Sequence, residues 1–246
     1  MESMRNTLIV MKRELKSYFE SPVAYVFLIA FLLLTGFLTF VMSQFYEQNN
    51  ASLERFFFWH PWVYLLLVPA ATMSLWAEER RNGTIEVLLT MPVTMLETIL
   101  GKFFAAWIFM GLALALTFPI VIWTCYLGNP DMGVIAAGYM GSFLLAGGYV
   151  AMGMLMSSLT KSQVISFVLA LLSGLLLLLA GWPPITDFFA RWFPSLVDAV
   201  AAFGFMPHFD SIQRGVVDIR DITYFASLMV FMLFATHIVL DNRKSA

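Results

Sequence analysis

Charge is scarce in this sequence. Asp, Glu, Lys and Arg make up 12% of 246 residues, where a soluble domain carries about a quarter. So few polar groups cannot cover a water-facing surface, which excludes a cytoplasmic enzyme, a secreted module and a disordered chain. The formal net charge is only −2, so no basic excess suits a polyanion, and nucleic acid is excluded as a partner. Cysteine occurs once, at Cys125. No internal disulfide can form, and a cysteine-rich metal site is argued against.

The motifs of chemistry are missing too. The sequence has no G-x-x-x-x-G-K-[ST], so ATP is not held by a P-loop here, and it has neither G-x-S-x-G nor H-E-x-x-H. Its apolar runs contain no Asp, Glu, Lys or Arg, whereas carriers driven by protons or sodium usually keep an ionisable group at mid-membrane. His60 and His208 read as external and isolated, and His237 as an interface residue near the end of the last run; they do not make a metal-ligand spacing. The chain is expected not to be an enzyme by itself, with no catalytic residues and no metal.

What is present is apolar. Sixty per cent of the residues are hydrophobic and the mean hydropathy is +0.81. A bilayer core about 30 Å thick needs about 20 helical residues. Six charge-free runs approach that length: 23–43, 61–77, 103–127, 134–157, 164–186 and 222–240. They are too long for strands of a barrel and lack its alternation. The expected fold is all-α, one polytopic membrane domain over 1–246 with six transmembrane helices. Local signals agree. Asn129-Pro130-Asp131 breaks the chain, Thr94 and Glu97 form a capping-box pattern, Ser162 and Asp221 stand as N-caps, and Trp182-Pro183-Pro184 stops the fifth run.

Lys and Arg set the orientation. With six spans, one side holds Arg5, Lys12, Arg13, Lys16, Arg80, Arg81, Lys102, Lys161, Arg243 and Lys244; the other holds Arg55, Arg191, Arg214 and Arg220. The positive-inside rule puts both termini in the cytoplasm. Residues 1–22 alternate an apolar stripe (Met4, Leu8, Met11, Leu15, Tyr18, Phe19) with a basic one, the pattern of an amphipathic interfacial helix, and Pro22 turns the chain into the first span. Segment 187–220 is expected to form external re-entrant or interfacial helices, because its many aromatics suit the headgroup level.

The stretch from Glu78 to Thr94 is the most specific. Arg80 and Arg81 suit a helix C-terminus, Gly83 can take the left-handed conformation that ends it, Thr84 can cap a new helix, and Pro92 ends that helix about two turns later. Its apolar residues, Leu88 among them, exceed what a solvated loop needs and suggest a partner.

With these residues, the chain resembles the permeases of the ABC-2 type family of ATP-binding-cassette transporters, and is similar in particular to the gliding-motility-associated branch. The likeness rests on Met11-Lys12-Arg13-Glu14-Leu15 with Tyr18-Phe19 and Ser21-Pro22, on Glu79 to Glu86 with Met91-Pro92-Val93, and on Ser157 to Gln163. The resemblance implies an elbow helix over 1–22, and a coupling helix over 84–91 that docks on a separate ATPase dimer. The coupling residues would be Glu78, Glu79, Arg80, Arg81, Gly83, Thr84, Glu86, Leu88, Pro92, Ser158 and Lys161. It also implies a second permease copy or a related permease, and an additional membrane or periplasmic subunit. ATP and Mg2+ would sit on the partner ATPase, and this chain would bind no cofactor. The substrate path in the family follows spans two and five, here presenting Trp62, Tyr64, Thr72, Ser74, Ser166 and Ser173. The expected function is ATP-driven transport, with export as its direction, in the bacterial inner membrane. The alternative is an ATP-driven membrane scaffold that moves periplasmic partners without net transport.

Overall fold

The computed structural model describes residues 2–47, 51–84, 93–190 and 200–242. All secondary structure among them is helical. In chain order the helices are α1 (Glu2–Glu20), α2 (Pro22–Phe37, prolonged by a π turn at Leu38–Met42), α3 (Glu54–Phe58), α4 (His60–Thr72), α5 (Ser74–Asn82), α6 (Met95–Ala115), α7 (Phe118–Leu127), α8 (Met132–Leu159), α9 (Gln163–Ala180), α10 (Pro183–Ala190), α11 (Phe205–Gln213) and α12 (Ile219–Asn242).

Five helical stretches are long and apolar enough to cross a membrane: Pro22–Met42, Met95–Leu127, Met132–Leu159, Gln163–Ala180 and Ile219–Asn242. The run expected as the second span is two shorter helices, α4 of 13 residues and α5 of 9. Two local causes act there. Pro69 lies inside α4 and cannot donate to the preceding turn. At Met73 the backbone hydrogen bonds are diverted to another helix, as described below.

Several ends are fixed by local chemistry. Thr94 and Glu97 make the expected capping box at the start of α6: Glu97 N donates to Thr94 Oγ1 at 3.3 Å and Thr94 N to Glu97 Oε2 at 2.9 Å. Asp131 caps α8 through two backbone N–H groups, and Ser162 caps α9. Gly83 ends α5 with φ of +70°, a conformation that favours glycine. α9 stops at Ala180, short of the Trp-Pro-Pro signal.

Four expectations need correction. Helix α6 starts at Met95, so the helix that holds the run expected as the third span carries Glu97 and Lys102, both buried; the charge-free run marked only the part of the helix without charge. Asp221 does not cap α12. Asp218 accepts from Arg220 N, while Asp221 lies in the first turn, bonded at 2.7 Å to His208 Nδ1. His208 is therefore not isolated, and its ring also stacks on Tyr224 at 4.0 Å. His60 is fully buried, bonded to Ser142 Oγ at 2.9 Å and enclosed by Phe31, Phe56, Phe57 and Tyr64.

α8 is the axis of the molecule. Two-thirds of its most apolar window is buried, against under half in every other candidate span. Small residues let its neighbours approach: a side chain at Gly147 would run into Met229 and Trp107, and one at Gly153 into Thr72. α4, α6, α9, α11 and α12 all pack against it. α1 lies along α6. Val10 seats over Gly101, Tyr18 stacks on Phe109 at 5.0 Å, and Tyr18 Oη donates to Ala71 O at 3.3 Å. Met4 and Leu8, read as part of the apolar stripe, remain exposed.

Candidate functional site

One cluster of charged groups lies where α1, the end of α5, the start of α6 and the end of α8 meet. Lys102 is the centre of this junction. Its Nζ lies 2.8 Å from Glu79 Oε1, 3.3 Å from Glu14 Oε2 and 5.3 Å from the centre of the Trp76 ring. With only 3% of its surface exposed, Lys102 needs these partners, because an unpaired ammonium in this setting is strongly disfavoured. Burial works against an ionised Glu14, but Lys102 and Arg13, whose Nη2 is 2.9 Å away, outweigh it and hold the carboxyl below its ordinary value of 4.5. Asn6 Nδ2 donates to Glu97 Oε2 at 3.4 Å, a second tie between α1 and α6.

Next along α5, the Arg80 guanidinium donates to the backbone carbonyl of Ser158 at the end of α8. Ser158 is buried, with its hydroxyl bonded to Leu155 O at 2.7 Å. Glu78, Arg81, Gly83, Thr84 and Lys161 are exposed. Thr84 Oγ1 donates to Glu79 O at 3.3 Å. Of the expected coupling residues, Glu79, Arg80 and Ser158 are thus brought together. Glu86, Leu88 and Pro92 lie outside the described residues, as does the expected coupling helix 84–91 beyond Thr84. Residues 191–199 of the expected external segment lie outside them as well.

A neighbouring residue, named in the sequence only as part of a motif and given no site role there, joins this group. Ser157 Oγ accepts from the backbone N–H of Trp76 and of Ala77, each at 3.0 Å, and donates to Met73 O at 2.9 Å. One hydroxyl from α8 thus serves the backbone on both sides of the α4–α5 break. The sequence signal was faint: a Ser-Ser pair ending an apolar run.

The six expected pathway residues separate. Tyr64, Thr72 and Ser166 have no exposed surface in the chain. Tyr64 stacks on Phe31 at 5.9 Å, and Thr72 Oγ1 donates to Val68 O at 2.9 Å. Trp62, Ser74 and Ser173 are half-buried. Trp62 packs edge-on against Trp182 at 5.8 Å, and Ser173 bonds back to Leu169 O at 2.7 Å. No group of three or more His, Cys, Asp or Glu suited to a metal ion occurs among the described residues.

Long apolar helices packed around a glycine-rich axis define a multi-pass helical membrane protein. The family profile described as "ABC-2 family transporter protein" matches residues 61–198, more than half of the chain, and the chain belongs to that family. It is thus a membrane subunit of an ABC transporter. No curated protein matches the sequence.

Proposed function

We propose that this chain forms half of the translocation path of an ABC transporter, and that residues 84–91 dock on a separate ATPase whose ATP hydrolysis drives the cycle. Mg2+ and ATP belong to that partner. We read six crossings with both termini in the cytoplasm of a bacterium: α4 and α5 together span residues 60–82, about 34 Å at 1.5 Å per residue, and the Lys and Arg asymmetry favours that side. In this reading α1 is the interfacial elbow, and Trp62, Ser74 and Ser173 face the path. The resemblance to the gliding-motility branch favours export and a further membrane subunit.

One observation carries the reading. Glu79 and Arg80, in the last turn before the docking segment, are fastened to α1, α6 and the end of α8. Force applied at 84–91 would therefore pass into three elements at once. Such coupling requires that ATP-bound and ATP-free motors contact the peg differently.

The test uses the complex co-expressed with the ATPase encoded by its host and spin labels at the external ends of α2 and α9. The parent should show an ATP-dependent change in their separation. Leu88→Asp and Arg81→Glu should either lose the ATPase on purification or retain its hydrolysis without the distance change. If both variants keep the ATPase and the distance change, the docking assignment is wrong.

A further inference from the structure

A cavity of about 630 Å3 opens between α1, α2, α4, α5, α6 and the start of α9, within the range of about 300–1,000 Å3 usual for small-molecule sites. Its lining is divided. At one end lie Val26, Phe27, Ala30, Leu67 and Ala70; at the other lie Glu14, Ser74, Glu78, Glu79, Lys102 and Gln163. From Leu67 to Glu79 it follows α4 and α5 for about 18 Å at 1.5 Å per residue. That is close to one leaflet's share of a hydrocarbon core about 30 Å thick. The shape and polarity therefore suit a molecule with one polar end and one hydrocarbon tail.

The polar end has a sign. Lys102, the ammonium in the lining, is already committed to Glu14 and Glu79, and Glu14 is further held by Arg13. Among the charged groups of the lining, what remains uncommitted to described residues is acceptor capacity. Glu79 Oε2 is buried without a hydrogen-bond partner, and the neighbouring Glu78 carboxylate stands at the cavity with no ion pair to a described residue. Carboxylates only accept, and a primary ammonium offers three donors. A buried acceptor without a donor is costly, and a charged donor relieves it most.

We propose that this cavity binds a primary-amine amphiphile, its ammonium between Glu78 and Glu79 and its tail between α2 and α4. The amine could be a phospholipid headgroup or that of a free long-chain amine; the chemistry recognised is the same. An anionic amphiphile is disfavoured, because its charge would face the two carboxylates. The site does not depend on ATPase docking, and its test needs no motor.

The experiment is native mass spectrometry of the purified full chain in maltoside micelles, titrated with dodecylamine, dodecanoate, phosphatidylethanolamine and phosphatidylglycerol. One saturable dodecylamine adduct is expected, with dodecanoate at least about ten-fold weaker. Competition by phosphatidylethanolamine and not by phosphatidylglycerol assigns the lipid headgroup; binding of dodecylamine alone assigns a free amine; either supports the site. Glu78→Gln, at an exposed position that the fold does not rely on, should weaken the adduct by about ten-fold, and Ala30→Trp should abolish it by filling the tail end. Equal uptake of dodecanoate, or an adduct unchanged in both variants, overturns the proposal.

Discussion

Lys102 shows how one residue can hold three helices. Its carboxylate partners come from α1 and α5, and all three side chains are at least four-fifths buried. Removing the lysine alone leaves Glu79 without its ion pair and Glu14 with only the exposed Arg13. Lys102→Met should therefore lower stability by about 3 kcal/mol, and adding Glu14→Gln and Glu79→Gln to it should recover most of that loss. Thermal melting in detergent checks both. The pH dependence has a definite sign. Glu14 titrates below its ordinary 4.5 in the fold, so its ionisation favours the folded state. That contribution is complete above about pH 4.5 and is lost as pH falls through the lower folded value. The melting difference between parent and Glu14→Gln should stay constant from neutral pH to about 5, then shrink. In the sequence Lys102 looked like the charge that ends an apolar run. Its burial could not be read there, because its partners lie on two other helices. Asp221 misled for a related reason: it has the right residue type for a cap, but Asp218 takes that place and His208 claims Asp221.

At the scale of elements, what was legible was local. The capping box at Thr94, the Ser162 cap and the left-handed Gly83 each depend on residues within a few positions. The division of 60–82 was not legible. Pro69 hints at a bend, but the break at Met73 rests on a hydroxyl about 80 positions further on. Ser157→Ala should accordingly leave the N–H groups of Trp76 and Ala77 without their acceptor. Hydrogen exchange at those two amides should accelerate while α6 and α12 stay protected, and the variant should lose about 1–3 kcal/mol of stability. Unchanged exchange at both amides would mean that the bonds to Ser157 are not made in the membrane. Which of the residues expected along the path are buried was not legible for the same reason: polarity is visible in a sequence, but the side of a helix that meets the glycine-rich axis is not. Thr72 faces that axis at Gly153.

For the whole molecule, the crowded and the bare surfaces differ. α8 is surrounded, while α9 leaves Val164, Val168, Leu172 and Leu176 exposed at four-residue intervals. That is one continuous helix stripe. If the proposed half-transporter pairs with a second permease through this helix, Leu172→Cys and Leu176→Cys should cross-link between copies in native membranes on mild oxidation, and Ala170→Cys, on the buried face, should not. Equal cross-linking at all three would place the pairing surface elsewhere. The membrane setting was plain from composition, since it follows from how much apolar surface must leave water, and the all-helical class from the length of the charge-free runs and their lack of alternation. Which helices face each other was not, because lipid and protein interior accept the same side chains.

The Ser157 hydroxyl has a consequence that follows from counting bonds. In the bent form it makes three, to Trp76, Ala77 and Met73. An uninterrupted helix would instead return the Trp76 and Ala77 amides to the carbonyls of Thr72 and Met73, the ordinary four-residue pairing. Kinked or straight, nearly the same number of backbone groups is satisfied. The two shapes differ by little more than one side-chain hydrogen bond, so residues 60–82 can exchange one for the other without leaving backbone groups bare.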